Sequence, residues 1–319
     1  MVRIYYREEG YIKKETDVRM LGGLSNIIWV DLQTPTAEEE EWVEAKCGLS
    51  FQTPQEVVEI ESSSRYFERN HEITANTYFL TLERNAYRQD PVSFILKEEV
   101  LFTYRNTDLV TFADLVKKLK ANNAIFSSGI EILLGLFETR IDLDADLVER
   151  ISREITQASK MLVASSTPNE EILLTIKSLQ ENTMTLRETI IDKQRTLSNL
   201  LKSHLFPDDK RERLRIILKD IASLLEHTTF NFERLEYLQD TFMGLVNLEQ
   251  NKIIKTFTVV TIFFLPPTLI AGIFGMNFQE IPFAAHKLGF WGATFCMFFP
   301  SFLILYYFRK KKLIGGKAI

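Results

Sequence analysis

An uncharged apolar run near the C-terminal end limits what this chain can fold into. From Phe257 to Phe274 no residue carries a charge. As a helix rising about 1.5 Å per residue, the run spans roughly 27 Å, close to the thickness of a bilayer's hydrocarbon core. A second run, from Gly289 to Phe308, is rich in aromatic residues and is also long enough to cross. The sequence therefore predicts a membrane protein with two C-terminal spans.

Small and polar residues recur along one side of the first run and of the segment before it. Counting back from Gly272 in alternate steps of four and three residues keeps to one helix face. This face, the polar seam, comprises Asp240, Gly244, Asn247, Asn251, Ile254, Thr258, Thr261, Leu265, Thr268 and Gly272. Polar groups cost free energy in lipid but not along a hydrated pore. The seam predicts a pore-lining helix, with Asp240 and Asn251 as polar rings below the membrane, threonine hydroxyls within it, and Ile254 and Leu265 as hydrophobic constrictions.

A second interpretation of the seam stays open. Small and hydroxyl residues also let two membrane helices pack closely, and that explanation is the commoner one for a single membrane helix. The same two spans and long helix would also suit a membrane-anchored coiled-coil scaffold that conducts nothing. That scaffold leaves unexplained why the polar seam continues through the bilayer.

The segment Gly275-Met276-Asn277 closes the first run. With the runs F-L-P-P-T-L-I-A and G-L-V-N-L-E-Q-N-K-I-I-K, it resembles the CorA family of magnesium transporters. Residues 31–39 and 59–68 also resemble the cytoplasmic domain of that family, so the likeness covers almost the whole chain. It implies a homopentameric channel with a funnel-shaped cytoplasmic domain, gated by cytosolic Mg²⁺ bound between subunits.

The predicted selectivity filter is Gly275, Met276 and Asn277. Because Mg²⁺ loses its waters reluctantly, a ring of Asn277 amide oxygens would hold the hydrated ion through those waters. Gly275 would permit a tight backbone exit, and Met276 would pack beneath the ring. The alternative role for Asn277 is to cap the helix end.

The outer loop departs from the family pattern. Phe274 replaces the usual tyrosine, and Ile281-Pro282-Phe283-Ala284 stands where the family has M-P-E-L. Glu280 is the nearby carboxylate, and His286 adds an imidazole, which suits transition metals. The resemblance implies Mg²⁺ as the transported ion, and the imidazole adds Co²⁺ or Ni²⁺ as further substrates. A zinc or other transition-metal transporter on the same scaffold is the alternative.

Four segments before residue 135 are rich in β-branched and aromatic residues, which is typical of strands. They are residues 27–32, 77–82, 92–96 and 100–104. Thr36 with Glu39 has the pattern of a capping box, and Gly48 marks the end of that helix. A second helix start is predicted at Thr53. Together these patterns predict a mixed α/β domain.

Helical periodicity then continues into the membrane. Breaks at 166–169 and 206–209 predict an antiparallel pair followed by a third helix, about 55 residues long before Pro266. The predicted fold is an α+β membrane protein made of a cytoplasmic α/β domain (1–135), a helical pair (136–205), a stalk helix (209–274) whose membrane part starts at about 256, an outer loop (275–288), a second membrane helix (289–308) and a basic tail (309–319).

Charge predicts the orientation and excludes some functions. Lys252 and Lys255 precede the first span, and Arg309 to Lys312 follow the second. This distribution predicts a protein of the cell's inner membrane with both termini on the cytoplasmic side. Cys47 and Cys296 are predicted to be free, buried thiols. The net charge of −5 does not favour nucleic-acid binding. No nucleotide-binding loop or nucleophile–base set is present in the sequence, so no enzyme is predicted.

Overall fold

The computed structural model describes residues 1–52, 56, 65–69, 71–83, 86–165, 168–276 and 286–310. They belong to two compact units. One comprises Met1–Ala164 and Asn169–Gln239, and the other comprises Ser165–Pro168 and Asp240–Ile319. The division after Gln239 falls inside one long helix.

Within the described ranges, seven strands form one sheet in the first unit. They are β1 (Val2–Glu8), β2 (Tyr11–Glu15), β3 (Ile27–Gln33), β4 (Tyr66–Arg69), β5 (Glu72–Glu83), β6 (Ala86–Lys97) and β7 (Val100–Arg105). Their order is β2-β1-β3-β7-β6-β5-β4. Only the β3–β7 pair is parallel among the described strands. The four predicted strands are confirmed, whereas β1, β2 and β4 were not predicted.

Helices cover both faces of this sheet. Helix α1 (Ala37–Cys47) starts at the predicted Thr36–Glu39 capping box and ends at Gly48 in the left-handed conformation, with φ of +62°. Helices α2 (Val110–Ala121) and α3 (Gly129–Ala164) bring Phe112 and Phe137 onto the other face. There the ring centres of Phe94 and Phe137 lie 5.3 Å apart. The second helix start predicted at Thr53 lies outside the described residues.

Helix α3 begins at Gly129 rather than at 136. A Cβ on Gly129 would lie 2.3 Å from the backbone nitrogen of Leu101, so only glycine lets the first turn approach β7 this closely. Helix α4 (Glu170–Lys202) follows, capped by the side chain of Asn169. The two helices contact each other, for example through the ion pair between Asp144 of α3 and Lys193 of α4, at 3.1 Å.

That ion pair belongs to a buried charge cluster between α3, α4 and β5. Arg140 donates from Nε to Asp144 Oδ1 at 2.9 Å and from its NH1 nitrogen to the carbonyl of Leu80 at 3.1 Å. Asp144 and Lys193 are fully buried, and Arg140 is nearly so. Burial lowers the pKa of Lys193, and the neighbouring Asp144 opposes that shift. One buried carboxylate, that of Asp144, therefore pairs with two buried cations.

Helix α5 (Arg211–Phe274) is 64 residues long and continues through Pro266 and Pro267. It is followed by α6 (Gly289–Lys310). Among the described residues, these two helices are long and apolar enough to cross a membrane. Cys47 is half-buried and Cys296 is exposed, so the prediction that both thiols are buried is wrong.

Candidate functional site

The membrane part of α5 has one side covered by α6. The half-covered residues of α5 are Val259, Ile262, Phe263, Pro266, Pro267 and Ile270. The rings of Phe263 and Phe302 meet edge to face, with centres 6.0 Å apart. Apolar side chains thus make most of the contact between the two helices.

The polar seam lies on the other side of α5. At 3.6 residues per turn, the centre of the seam is roughly 140° around the axis from the centre of the covered side. All seam residues from Asp240 to Gly272 are exposed, including Ile254 at 61% and Leu265 at 64%. Within the part of the chain that the structure describes, nothing packs on this face. The seam therefore does not pack against α6 of the same chain.

The three threonines of the seam share one hydrogen-bonding arrangement. Each hydroxyl donates to the carbonyl four residues earlier, at 2.8 Å for Thr258, 2.9 Å for Thr261 and 2.8 Å for Thr268. The hydroxyl proton is used inside the helix, so the outward side of each oxygen can only accept hydrogen bonds. An acceptor-lined face suits the water shell of a cation, whose hydrogens point outward.

Two glycines of the seam have no side chain where the structure leaves open space for one. A Cβ on Gly244 or Gly272 would meet no atom within 4 Å. At the end of the helix, a Cβ on Gly275 would lie 3.0 Å from the carbonyl oxygen of Ala271. The backbone nitrogens of Gly275 and Met276 still donate to Ala271 and Ile273, at 2.9 and 3.3 Å. The helical path therefore continues up to the predicted filter.

The structure describes the predicted filter and loop only in part. Met276 is exposed, and Asn277 and Glu280 lie outside the described residues. His286 is exposed, and its carbonyl accepts from the nitrogen of Gly289 at the start of α6. Over the described ranges, no group of three or more His, Cys, Asp or Glu residues could hold a metal ion.

Ser301 of α6 was not predicted as a functional residue. Its side chain is fully buried, and its hydroxyl donates to the carbonyl of Phe263 on α5 at 2.8 Å. The available signal was Pro267, since a proline cannot donate to the carbonyl four residues before it. The sequence showed that this carbonyl needs another donor but not which residue supplies it.

Comparison with known proteins gives a consistent result. The chain matches the family model described as CorA-like Mg²⁺ transporter protein over residues 25–310. The magnesium transport protein CorA of Wolinella succinogenes is 35% identical over 320 residues, covering 98% of this chain and 99% of the relative. The protein of the same name in Escherichia coli strain K12 is 33% identical over 291 residues, covering 90% and 92%.

Solved structures share the fold. The complete CorA magnesium transporter of Methanocaldococcus jannaschii superposes with a TM-score of 0.83 at 20% identity, covering 98% of this chain and 99% of that one. The ZntB cytoplasmic domain of Vibrio parahaemolyticus gives 0.61 at 12% identity and covers 78% and 98%. The predicted fold class is confirmed; at these identities the likeness concerns the fold alone.

Proposed function

The chain belongs to the CorA-like Mg²⁺ transporter family, and on that premise we propose that it is a divalent-cation channel. Several copies of α5, five by the family resemblance, would surround a water-filled axis in the cell's inner membrane. Mg²⁺ would pass inward down its electrochemical gradient. Co²⁺ and Ni²⁺ would be further substrates.

One observation supports the pore above the others. The seam is exposed on the side of α5 that α6 leaves uncovered. A single copy in a bilayer would present Thr and Gly backbone to hydrocarbon, which is unfavourable. Copies arranged with their seams inward would remove that cost and give the threonine oxygens water to bind.

Selection of the ion would follow from its hydration. Mg²⁺ keeps its waters, so a ring of Asn277 amides and the threonine oxygens would contact the hydrated ion rather than the bare one. The membrane potential would supply the driving force, about 2.3 kcal/mol per charge for each 100 mV. Lys252, Lys255, Arg309 and Lys310 flank the spans on one side and support cytoplasmic termini.

Asn277→Ala tests the filter. We expect Mg²⁺ flux into proteoliposomes to fall at least tenfold, because each hydrogen bond between an amide and a water of the ion contributes about 0.5–1.5 kcal/mol and the ring would lose one from every copy, while about 1.4 kcal/mol is already a factor of ten. In the same assay, the loss of Mg²⁺ flux on adding Co²⁺, Ni²⁺ or Zn²⁺ ranks these ions by how strongly they compete with Mg²⁺. Unchanged Mg²⁺ flux in the variant would remove the filter assignment, and a preference for Zn²⁺ would favour the transition-metal alternative.

Cytosolic Mg²⁺ is proposed to close the channel. Carboxylates that face each other between subunits repel unless an ion bridges them, so loss of the ion would loosen the ring. Raising cytoplasmic-side Mg²⁺ from micromolar to millimolar should slow flux and protect the purified protein from limited proteolysis. Ca²⁺-free, Mg²⁺-free buffer with EDTA is the reference state. Equal flux and equal proteolysis at both concentrations would exclude this form of gating.

A further inference from the structure

Two prolines interrupt the hydrogen bonding of α5 inside the membrane. In an α-helix, each backbone nitrogen donates to the carbonyl four residues earlier. Pro266 and Pro267 have no such hydrogen, so the carbonyls of Ile262 and Phe263 lose their helical donors. Hydrocarbon offers no water in exchange. Between Thr261 and Thr268 of the seam, α5 therefore has fewer backbone hydrogen bonds than in the rest of the helix.

Ser301 of α6 replaces one of the two missing donors. Its hydroxyl lies 2.8 Å from the carbonyl oxygen of Phe263 and 3.3 Å from that of Met297 in its own helix. The shorter contact crosses between helices. Thr294, two turns earlier in α6, instead donates within its own helix, to Phe290 at 2.9 Å, and is half-buried. The inter-helix bond is thus specific to the carbonyl that Pro267 leaves free.

We propose that Ser301 is a positioning residue for conduction. It ties α5 to α6 at the point where α5 is most easily bent, and the part of α5 beyond that point carries Thr268, Gly272 and Gly275. The direction of that outer part, and with it the predicted filter, depends on a hydroxyl that lies on the side of α5 away from the seam. This inference rests on the proposed function, because it assigns Ser301 a role in the same pore.

The test is a double-mutant cycle in the full-length protein. Ser301→Ala is expected to lower maximal Mg²⁺ flux in proteoliposomes about threefold, which is about 0.6 kcal/mol at 1.4 kcal/mol per factor of ten and the average for hydrogen bonds between membrane helices. Pro267→Ala restores a backbone donor to the carbonyl of Phe263. In the Pro267→Ala background, Ser301→Ala should leave the maximal Mg²⁺ flux unchanged. Ser301→Thr should retain most of the wild-type flux, and the control Thr294→Ala should retain all of it.

Two results would overturn the inference. One is a wild-type flux in Ser301→Ala, and the other is an equal loss from that substitution with and without Pro267, which would indicate packing alone. If Ser301→Ala assembles only when Pro267→Ala is also present, that result supports a structural role for the hydrogen bond between Ser301 and Phe263. The thermal midpoint of the detergent-solubilised oligomer is measured over the same cycle. If wild-type protein conducts no Mg²⁺, the proposed function fails, and these midpoints still decide whether the tie exists.

Discussion

Gly272→Leu is expected to reduce Mg²⁺ flux to the background of empty liposomes. Within one chain the added side chain meets no atom within 4 Å of its Cβ. Glycine is a poorer helix former than alanine by roughly 0.8–1 kcal/mol and leucine ranks just below alanine, so folding should not suffer. In a ring of copies, however, every leucine would point toward the axis. The ring would narrow the bore and exclude water, which closes a pore by dewetting.

The chain provides a matched control for this substitution. Gly292 of α6 also has no atom within 4 Å of an added Cβ, and it is not on the seam. Gly292→Leu should assemble and conduct like the wild type. Oligomer mass by light scattering shows whether each variant has assembled. If Gly272→Leu assembles and conducts normally, the seam does not line the conduction path, and the non-conducting scaffold becomes the better account.

The seam could be predicted from the sequence because a helix converts spacing directly into a face. Thr258, Thr261 and Leu265 share one side of the helix whatever surrounds them. The sequence left open only whether that side faces water or another helix. The structure resolved part of that question by placing α6 on the opposite side. The proposed ring of Asn277 side chains does not follow from spacing in the same way, because it would require several copies of the chain.

The sheet shows a similar limit. The strands β3, β5, β6 and β7 carry buried β-branched and aromatic residues, and these were predicted. The strand β2 reads Y-I-K-K-E and β4 reads Y-F-E-R, and most of their residues are exposed or half-buried. Both lie at the ends of the sheet, where only one neighbouring strand fixes them. Edge strands need little hydrophobic alternation, so the sequence pattern that identifies central strands is weak in them.

Buried charge was the least predictable feature. Nothing in the sequence distinguishes Asp144 from the other members of a set of 43 acidic residues. Its partners lie four residues away on α3, at Arg140, and on a separate helix, at Lys193. The spacing of Arg140 and Asp144 is common on exposed helix faces. Only the packing of α4 against α3 shows that this pair is buried.

That burial makes Asp144→Asn the substitution with the largest expected effect on stability. It leaves Arg140 and Lys193 buried next to each other without the carboxylate that pairs with both. Breaking a buried ion pair from one side typically costs about 3–5 kcal/mol. At roughly 2–4 °C per kcal/mol for a domain of about 150–250 residues, the thermal midpoint of the first unit should fall by about 10 °C. Fluorescence of the buried Trp29 in the full-length protein reports this transition.

Lys193→Met should lower the free energy of unfolding far less than Asp144→Asn, although both substitutions break the same ion pair. Lys193→Met leaves the Arg140–Asp144 pair intact, and burial already disfavours the charged lysine, as its lowered pKa indicates. We expect a loss of about 1 kcal/mol or less, since well-packed apolar replacements of buried ions are often neutral. Lys177→Met, which removes an exposed pair with Glu181 on the same helix, should leave the midpoint unchanged. Equal losses from Asp144→Asn and Lys193→Met would show that the Asp144–Lys193 pair itself stabilises the cluster, and not the contact of one carboxylate with two cations.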